Sequence, residues 1–136
     1  MTAVLLPLAE IGARLVAIAE ALGAAPATAP TLGRSRDFGH PHIEVDDAYH
    51  YVVVERGEEF ERLTTDDLDA LLYRAASDMA FSAASDWAAA HPRRGEDFRR
   101  RLFARETELL ARLSPHWADR KRAEIADILR RAPYRA

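Results

Sequence analysis

Apolar positions change period twice along the chain, and the changes mark out its elements. Leu8, Ile11, Leu15, Ile18, Ala19 and Leu22 recur at helical spacing, while Glu10, Arg14 and Glu20 fall largely between them. This pattern predicts an amphipathic helix with Gly23 as its stop. The next stretch, AAPATAPTLGRSRDFGHP, mixes prolines, glycines and small residues without a period, so it reads as a long irregular loop over about 24–41. Loops of that length are uncommon in compact domains and are often functional.

From His42 the period is two. In HIEVD, Ile43 and Val45 point one way and His42, Glu44 and Asp46 the other, because side chains alternate along a strand. A turn through Asp46, Asp47 and Ala48 leads into YHYVVVE, whose β-branched and aromatic residues favour a strand. Gly57 then supplies the left-handed position of a short hairpin loop, and EEFERL returns as a third strand. With a glycine bulge at the turn, Phe60 shares a face with Val52 and Val54, and Glu59 and Glu61 share the opposite face with Tyr51 and Val53. A slip of one residue inverts that assignment.

The helical period resumes at TTDDLDALLY, where Thr64 or Thr65 is the expected cap and Asp66, Asp67 and Asp69 lie in the first turn, favoured by the macrodipole. Leu68, Leu71, Leu72, Ala75, Ala76, Met79, Ala83 and Trp87 make its apolar stripe. His91, Pro92 and Gly95 break the chain before another helix carrying Phe98, Leu102, Phe103, Leu109, Leu110 and Leu113. Ser114 and Pro115 form an N-cap and first position for a last helix running through Trp117, Ile125, Ile128 and Leu129 toward Pro133. The expected fold is α+β: a three-stranded antiparallel meander (about 42–63) packed on one face by an N-terminal helix and three C-terminal helices, in a single domain over 1–136. The other sheet face is then wet, and Tyr51 and several carboxylates are expected on it.

Composition narrows the chemistry. With 136 residues, 49% hydrophobic and 30% charged, the chain lies in the globular range and far from disorder. It has no cysteine, which excludes disulfides and thiolate nucleophiles. The apolar N-terminal stretch lacks a basic start and is interrupted by Pro7, Glu10, Arg14 and Glu20, so it reads as neither signal peptide nor membrane span; the cytoplasm is the expected location. The net charge of −3 is unevenly spread: residues 44–69 hold ten carboxylates against Arg56 and Arg62, and arginine dominates from Arg93 onward.

Each chemical candidate competes with a plainer reading. His40, His42, Glu44 and Asp46 stand at even spacing and are of metal-ligand type, but they match no zinc signature, and polar alternation on a half-buried strand needs no ion; no metal and no cofactor are assigned. No GxSxG, P-loop, HExxH or GxGxxG occurs, and the clustered acids look exposed, so an enzyme is not expected. The run HPRRGEDFRRRLFARE, residues 93–105 above all, is the alternative: a nucleic-acid-binding regulator. Against it, Phe98, Leu102 and Phe103 take one helix face, leaving Arg99, Arg100, Arg101 and Arg105 as a solvated surface diluted by Glu96, Asp97, Glu106 and Glu108. Helix capping and edge protection account for some of the acids at 55–69. Tyr51, Glu55, Glu59 and Glu61 are left as a surface suited to a basic partner.

PTLGRSRDFGHPHIEVDDAYHYVVVERGEEFERLTTDDLDALLY and RRRLFARETELLARLSPHWADRKRAEI resemble the immunity protein 63 family of bacterial polymorphic toxin systems. The resemblance runs from about Pro30 to Leu129, with YHYVVVERGEE and ERLTTDDLDALLY its most specific parts. It implies a small non-enzymatic cytoplasmic protein, encoded beside a toxin, that binds the toxin's effector domain and neutralises it. The expected contact residues are Tyr51, Glu55, Arg56, Glu58, Glu59, Glu61 and Arg62: carboxylates for negative potential, Tyr51 as an aromatic anchor, Arg56 or Arg62 as orienting donors. Inhibition would be by occlusion, with a nuclease as the toxin class the charge suggests. Gly57, Thr65 and Asp66 read as scaffold. One departure from the family pattern is RAASDMAFSAASDWAAA, alanine-rich where bulky residues are expected, which implies tighter packing or divergence. Oligomeric state is not legible.

Overall fold

The computed structural model describes residues 4–135, so the ends of the expected 1–136 domain lie outside the described residues. The fold is α+β: four α-helices and a four-stranded mixed sheet among those residues. Helix α1 (Leu8–Leu22) buries the predicted stripe Ile11, Leu15, Ile18, Ala19 and Leu22 and stops at Gly23. The stretch expected to be wholly irregular contains a 3-10 turn, Pro26–Thr28, and a two-residue strand β1 (Thr31–Leu32). Strand β1 runs parallel to β2 (Pro41–Val45), pairing Thr31 with His42 and Leu32 with Ile43. The expected three-stranded meander is therefore corrected to four strands in the order β1-β2-β3-β4. So short a strand has no alternation to detect; what fixes it is close packing on α1, where a Cβ on Gly12 would lie 2.8 Å from Leu32 Cδ1.

Strands β3 (Tyr49–Glu55) and β4 (Glu58–Thr65) complete the antiparallel part. Thr64 and Thr65 belong to β4, so neither is the helix cap; Asp67 is, its carboxylate accepting from Asp69 N–H at 2.9 Å. Thr65 instead accepts from Asp67 N–H and shapes the turn into the helix.

Helix α2 (Leu68–Ala90) is the central pillar, with α1 and α3 (Phe98–Ala111) packed on it; α4 (Pro115–Arg131) packs on α3 and reaches α2 through the side chains of Trp117, Lys121 and Glu124. Its alanines explain how closely α1 and α3 approach it: Ala75, Ala76, Ala80, Ala84 and Ala88 are all buried, and short side chains let helix axes approach. The stripe drifts onto Ala84 and Ala88 rather than the predicted Ala83 and Trp87, which are half-buried. Only α1 and α2 make the main contacts with the sheet; α3 packs on α2, and α4 on α3. On α3, Phe98 is exposed rather than in the core, and Asp97 is the cap. Ser114 caps α4 with Pro115 first, as the sequence predicts, and Trp117 Nε1 donates to Asp69 at 3.0 Å, tying α4 to the start of α2.

Candidate functional site

The β3–β4 hairpin turns through two residues, Arg56 and Gly57, at φ of 54° and 76°. Positive φ at both central positions is the requirement of a type I′ turn, whose twist matches the strands, but asparagine, aspartate or glycine normally takes the first place. Arginine there stores backbone strain of about 1 kcal/mol or more. Beside the turn, Asp37, Phe38 and Gly39 are three consecutive residues at positive φ. The two tips are knit together: Gly39 N–H donates to Val54 O at 2.9 Å and Gly57 N–H to Asp37 Oδ1 at 3.3 Å. Glu55, Arg56 and Glu58 are exposed there, and none of them makes an ion pair among the described residues.

A bulge between Val53 and Val54 decides which acids share a face. Glu61 stands opposite Val53, on the side of Tyr49 and Tyr51, whereas Glu59 stands opposite Val54, on the other side. The expectation that Glu59 and Glu61 share a face is corrected by this extra residue, Phe60, which takes no partner in the ladder and is 65% exposed. Tyr51 is corrected as well. It is wholly buried, opposite Ile43 and Leu63, because its face of the sheet is the one that α2 covers. Its hydroxyl donates to Asp78 Oδ2 at 2.7 Å and Arg74 lies 4.9 Å over its ring, so it cannot be an exposed anchor. Burial first, then the Asp78 charge, pushes the Tyr51 hydroxyl's pKa up. Arg74 also pairs with Glu61, whose carboxyl that hydrogen bond holds below its ordinary value.

The face turned away from the helices carries its own charge layer. His42 Nε2 bonds Glu44 Oε2 at 2.7 Å, and Arg62 bridges Glu44 at 3.3 Å and Glu59 at 2.7 Å. Since Arg62 is on β4 and Glu44 on β2, the bridge crosses β3 above Val52, the partner of Arg62; this explains why Val52 is fully buried on that face. The His42 bond first, then Arg62, lowers the Glu44 pKa; Arg62 lowers that of Glu59. Of the seven expected contact residues, Glu55, Arg56 and Glu58 thus form the tip, Glu59 and Arg62 the outer face, Glu61 turns to α2, and Tyr51 lies in the core.

The strand histidines do not converge. His40 bonds Ala29 O at 2.9 Å, and burial lowers its pKa, while His42 keeps to Glu44. Asp46, Asp47 and His50 come close enough to hold an ion, but both ring nitrogens of His50 are taken, Nδ1 by Thr64 and Nε2 by Asp46. The His50 bond and then the Ala48 N–H hold the Asp46 carboxyl at about 2.

The arginines of α3, expected as plain solvated surface, are bound within the chain. Arg99 donates to Ala132 O and Pro133 O at 2.8 Å and Arg101 to His91 O at 2.8 Å, so they satisfy carbonyls at the ends of α4 and α2. Arg100 lies 4.2 Å over Tyr134, and Arg105 lies 4.8 Å over Trp87. Helix-end carbonyls and rings from remote segments are invisible to a local pattern.

Two features escaped the sequence reading. Lys121, Glu106 and Ser77 form a buried polar cluster, with Lys121 Nζ 2.7 Å from Ser77 Oγ and 3.6 Å from Glu106. Phe38 and Phe81 are 88% and 52% exposed. A lone aromatic inside RSRDFGHP was the available signal for Phe38; Phe81 lies off the apolar stripe of α2.

A comparison with protein families finds that the Immunity protein 63 family matches residues 46–127, more than half of the chain, from the β2–β3 turn into α4. The chain belongs to the Immunity protein 63 family. No curated protein and no solved structure matches it. Membership makes it an immunity protein against a toxin, and the matched span contains the hairpin tip, the Tyr51 network and the arginine ridge of this Immunity protein 63 member. No helix among the described residues is long and apolar enough to cross a membrane.

Proposed function

We propose that the protein neutralises a cognate toxin domain in the cytoplasm, without catalysis, by occluding the toxin's active site or substrate groove with its hairpin tip and outer sheet face. The observation that carries this reading is the state of the tip: Glu55, Arg56 and Glu58 are exposed and without an ion pair among the described residues, on a turn that holds an arginine at positive φ. Charge with no internal partner contributes little to the fold and is available to another molecule. Backbone strain at an exposed arginine supports the same assignment. Glu59 and Arg62 extend the surface, with Arg62 held in place by Glu44 and Glu59. Glu61 acts indirectly, by fixing Arg74 behind the sheet. A nuclease, whose substrate groove is cationic, supplies the complementary charge, and steering then speeds association about 10- to 1000-fold at low salt.

Co-expression tests the reading. Cells producing the toxic C-terminal domain encoded by the adjacent gene should survive when this protein is also made. Death of cells that contain the folded protein would refute the pairing.

A further inference from the structure

Two depressions on the helix side adjoin along α2. One, of about 390 Å³, lies between the 37–39 loop and α2, with Phe38 and His40 on one wall and Asp78 and Phe81 on the other. The second, of about 210 Å³, lies between α2, α3 and α4; it shares Asp78 and Phe81 with the first and continues to Ile128. The rim is apolar: Phe38, Phe81 and Ile128 are 88%, 52% and 38% exposed. Phe38 is held out at φ 56° inside a run of three left-handed residues, a strained conformation for a side chain of this size that persists because the loop is pinned to the hairpin. The floor carries Asp78, Glu106, Glu124 and Lys121; Lys121 pairs with Glu106 and Glu124, Arg120 with Glu124, and Arg74 with Asp78. Asp78 has a further property. Tyr51 O–H and Arg74 Nε both donate to its Oδ2, leaving Oδ1 without a partner among the described residues on a side chain that is 40% exposed.

We propose that this groove is a second docking surface for the toxin domain, taking a segment in which an aromatic or aliphatic side chain adjoins a lysine or arginine. The apolar side chain seats between Phe38 and Phe81, and the cation reaches Asp78 Oδ1. The inference rests on the immunity reading. Continuity connects the two surfaces: the loop that carries Phe38 is bonded to the hairpin tip, so a partner seated on Glu55 and Glu58 extends onto Phe38. Asp78 Oδ1 in the groove and the carboxylates of Glu55 and Glu58 at the tip take no partner among the described residues, so one cationic partner suits both places. Aromatic side chains, phenylalanine included, are enriched in interfaces relative to the rest of a protein surface.

The probe is the toxic domain encoded by the adjacent gene, inactivated at its catalytic centre, with binding followed by calorimetry. Phe81→Ala and Phe38→Ala should each weaken affinity roughly ten-fold or more while the thermal midpoint stays close to wild type. Asp78→Asn keeps the acceptor for Tyr51 but removes the charge, and should weaken binding and flatten its salt dependence. Phe38 makes no core contact, so its variant remains informative if Phe81→Ala is unstable. Unchanged affinity in both phenylalanine variants, with tight wild-type binding, overturns the groove and leaves the immunity reading intact. Failure of the wild type to bind overturns both. Self-association of the wild type that Phe81→Ala abolishes assigns the groove to a second copy of this chain and also overturns the proposal.

Discussion

On α3, Arg99 and Arg101 donate to carbonyls at the ends of α4 and α2, whereas on the β3–β4 turn Glu55 and Glu58 have no cationic partner among the described residues. The sequence presents both regions as runs of charge, one basic and one acidic. Their uses differ because their partners differ. The ridge joins helix ends and covers Trp87 and Tyr134 with guanidinium planes, which is a stabilising task. The tip contributes nothing comparable to the fold. A charge run therefore becomes informative once the internal partner of each residue is known, and the residues without one are the candidates for contact with another molecule.

The comparison can be broken most severely in the interior. Lys121→Met removes the cation beside Glu106, which is 3% exposed, and should destabilise the protein by about 3 kcal/mol, read from urea midpoints. Burial already raises the Glu106 pKa, with Lys121 opposing the rise. A carboxyl whose folded pKa is raised contributes stability below its unfolded value, near 4.3, and loses it as pH climbs through the folded value. The Lys121→Met deficit should accordingly be larger at pH 8 than at pH 5. Next in size, Tyr51→Phe removes the bond to Asp78 and should cost about 1 kcal/mol, read from urea midpoints. Arg100→Gln, which loses only its contact over Tyr134, should cost about 0.5 kcal/mol in a thermal melt.

Much of this architecture was legible because long amphipathic helices and alternating strands leave strong periods. Ile11, Leu15, Ile18 and Leu22 are the core face of α1 as read, and Ser114 with Pro115 begins α4. Strand β1 was illegible because two residues have no period, and its cause is the close approach of Leu32 to Gly12. The site was half legible. Gly57 announced the turn, but one extra residue at Phe60 reversed the side of Glu59 relative to Glu61, and no local pattern reports a bulge. Tyr51 was misplaced for a related reason: β3 is inside the sheet and covered on both faces, on one by α2 and on the other by the Arg62 bridge, so neither parity of its residues is wet. The alanines of α2 signalled tight packing, which is what the close approach of α1 and α3 requires.

The most direct measurement is the association rate of the inactivated toxin domain with wild type, with Glu55→Lys combined with Glu58→Lys, and with Arg100→Gln. Reversal at the tip should slow association about ten-fold or more at low salt, with the difference shrinking as salt rises and with stability unchanged, while Arg100→Gln associates as wild type does. A tip variant that binds at the wild-type rate, or a ridge variant that slows, would contradict the assignment of the unpaired tip charges to the toxin.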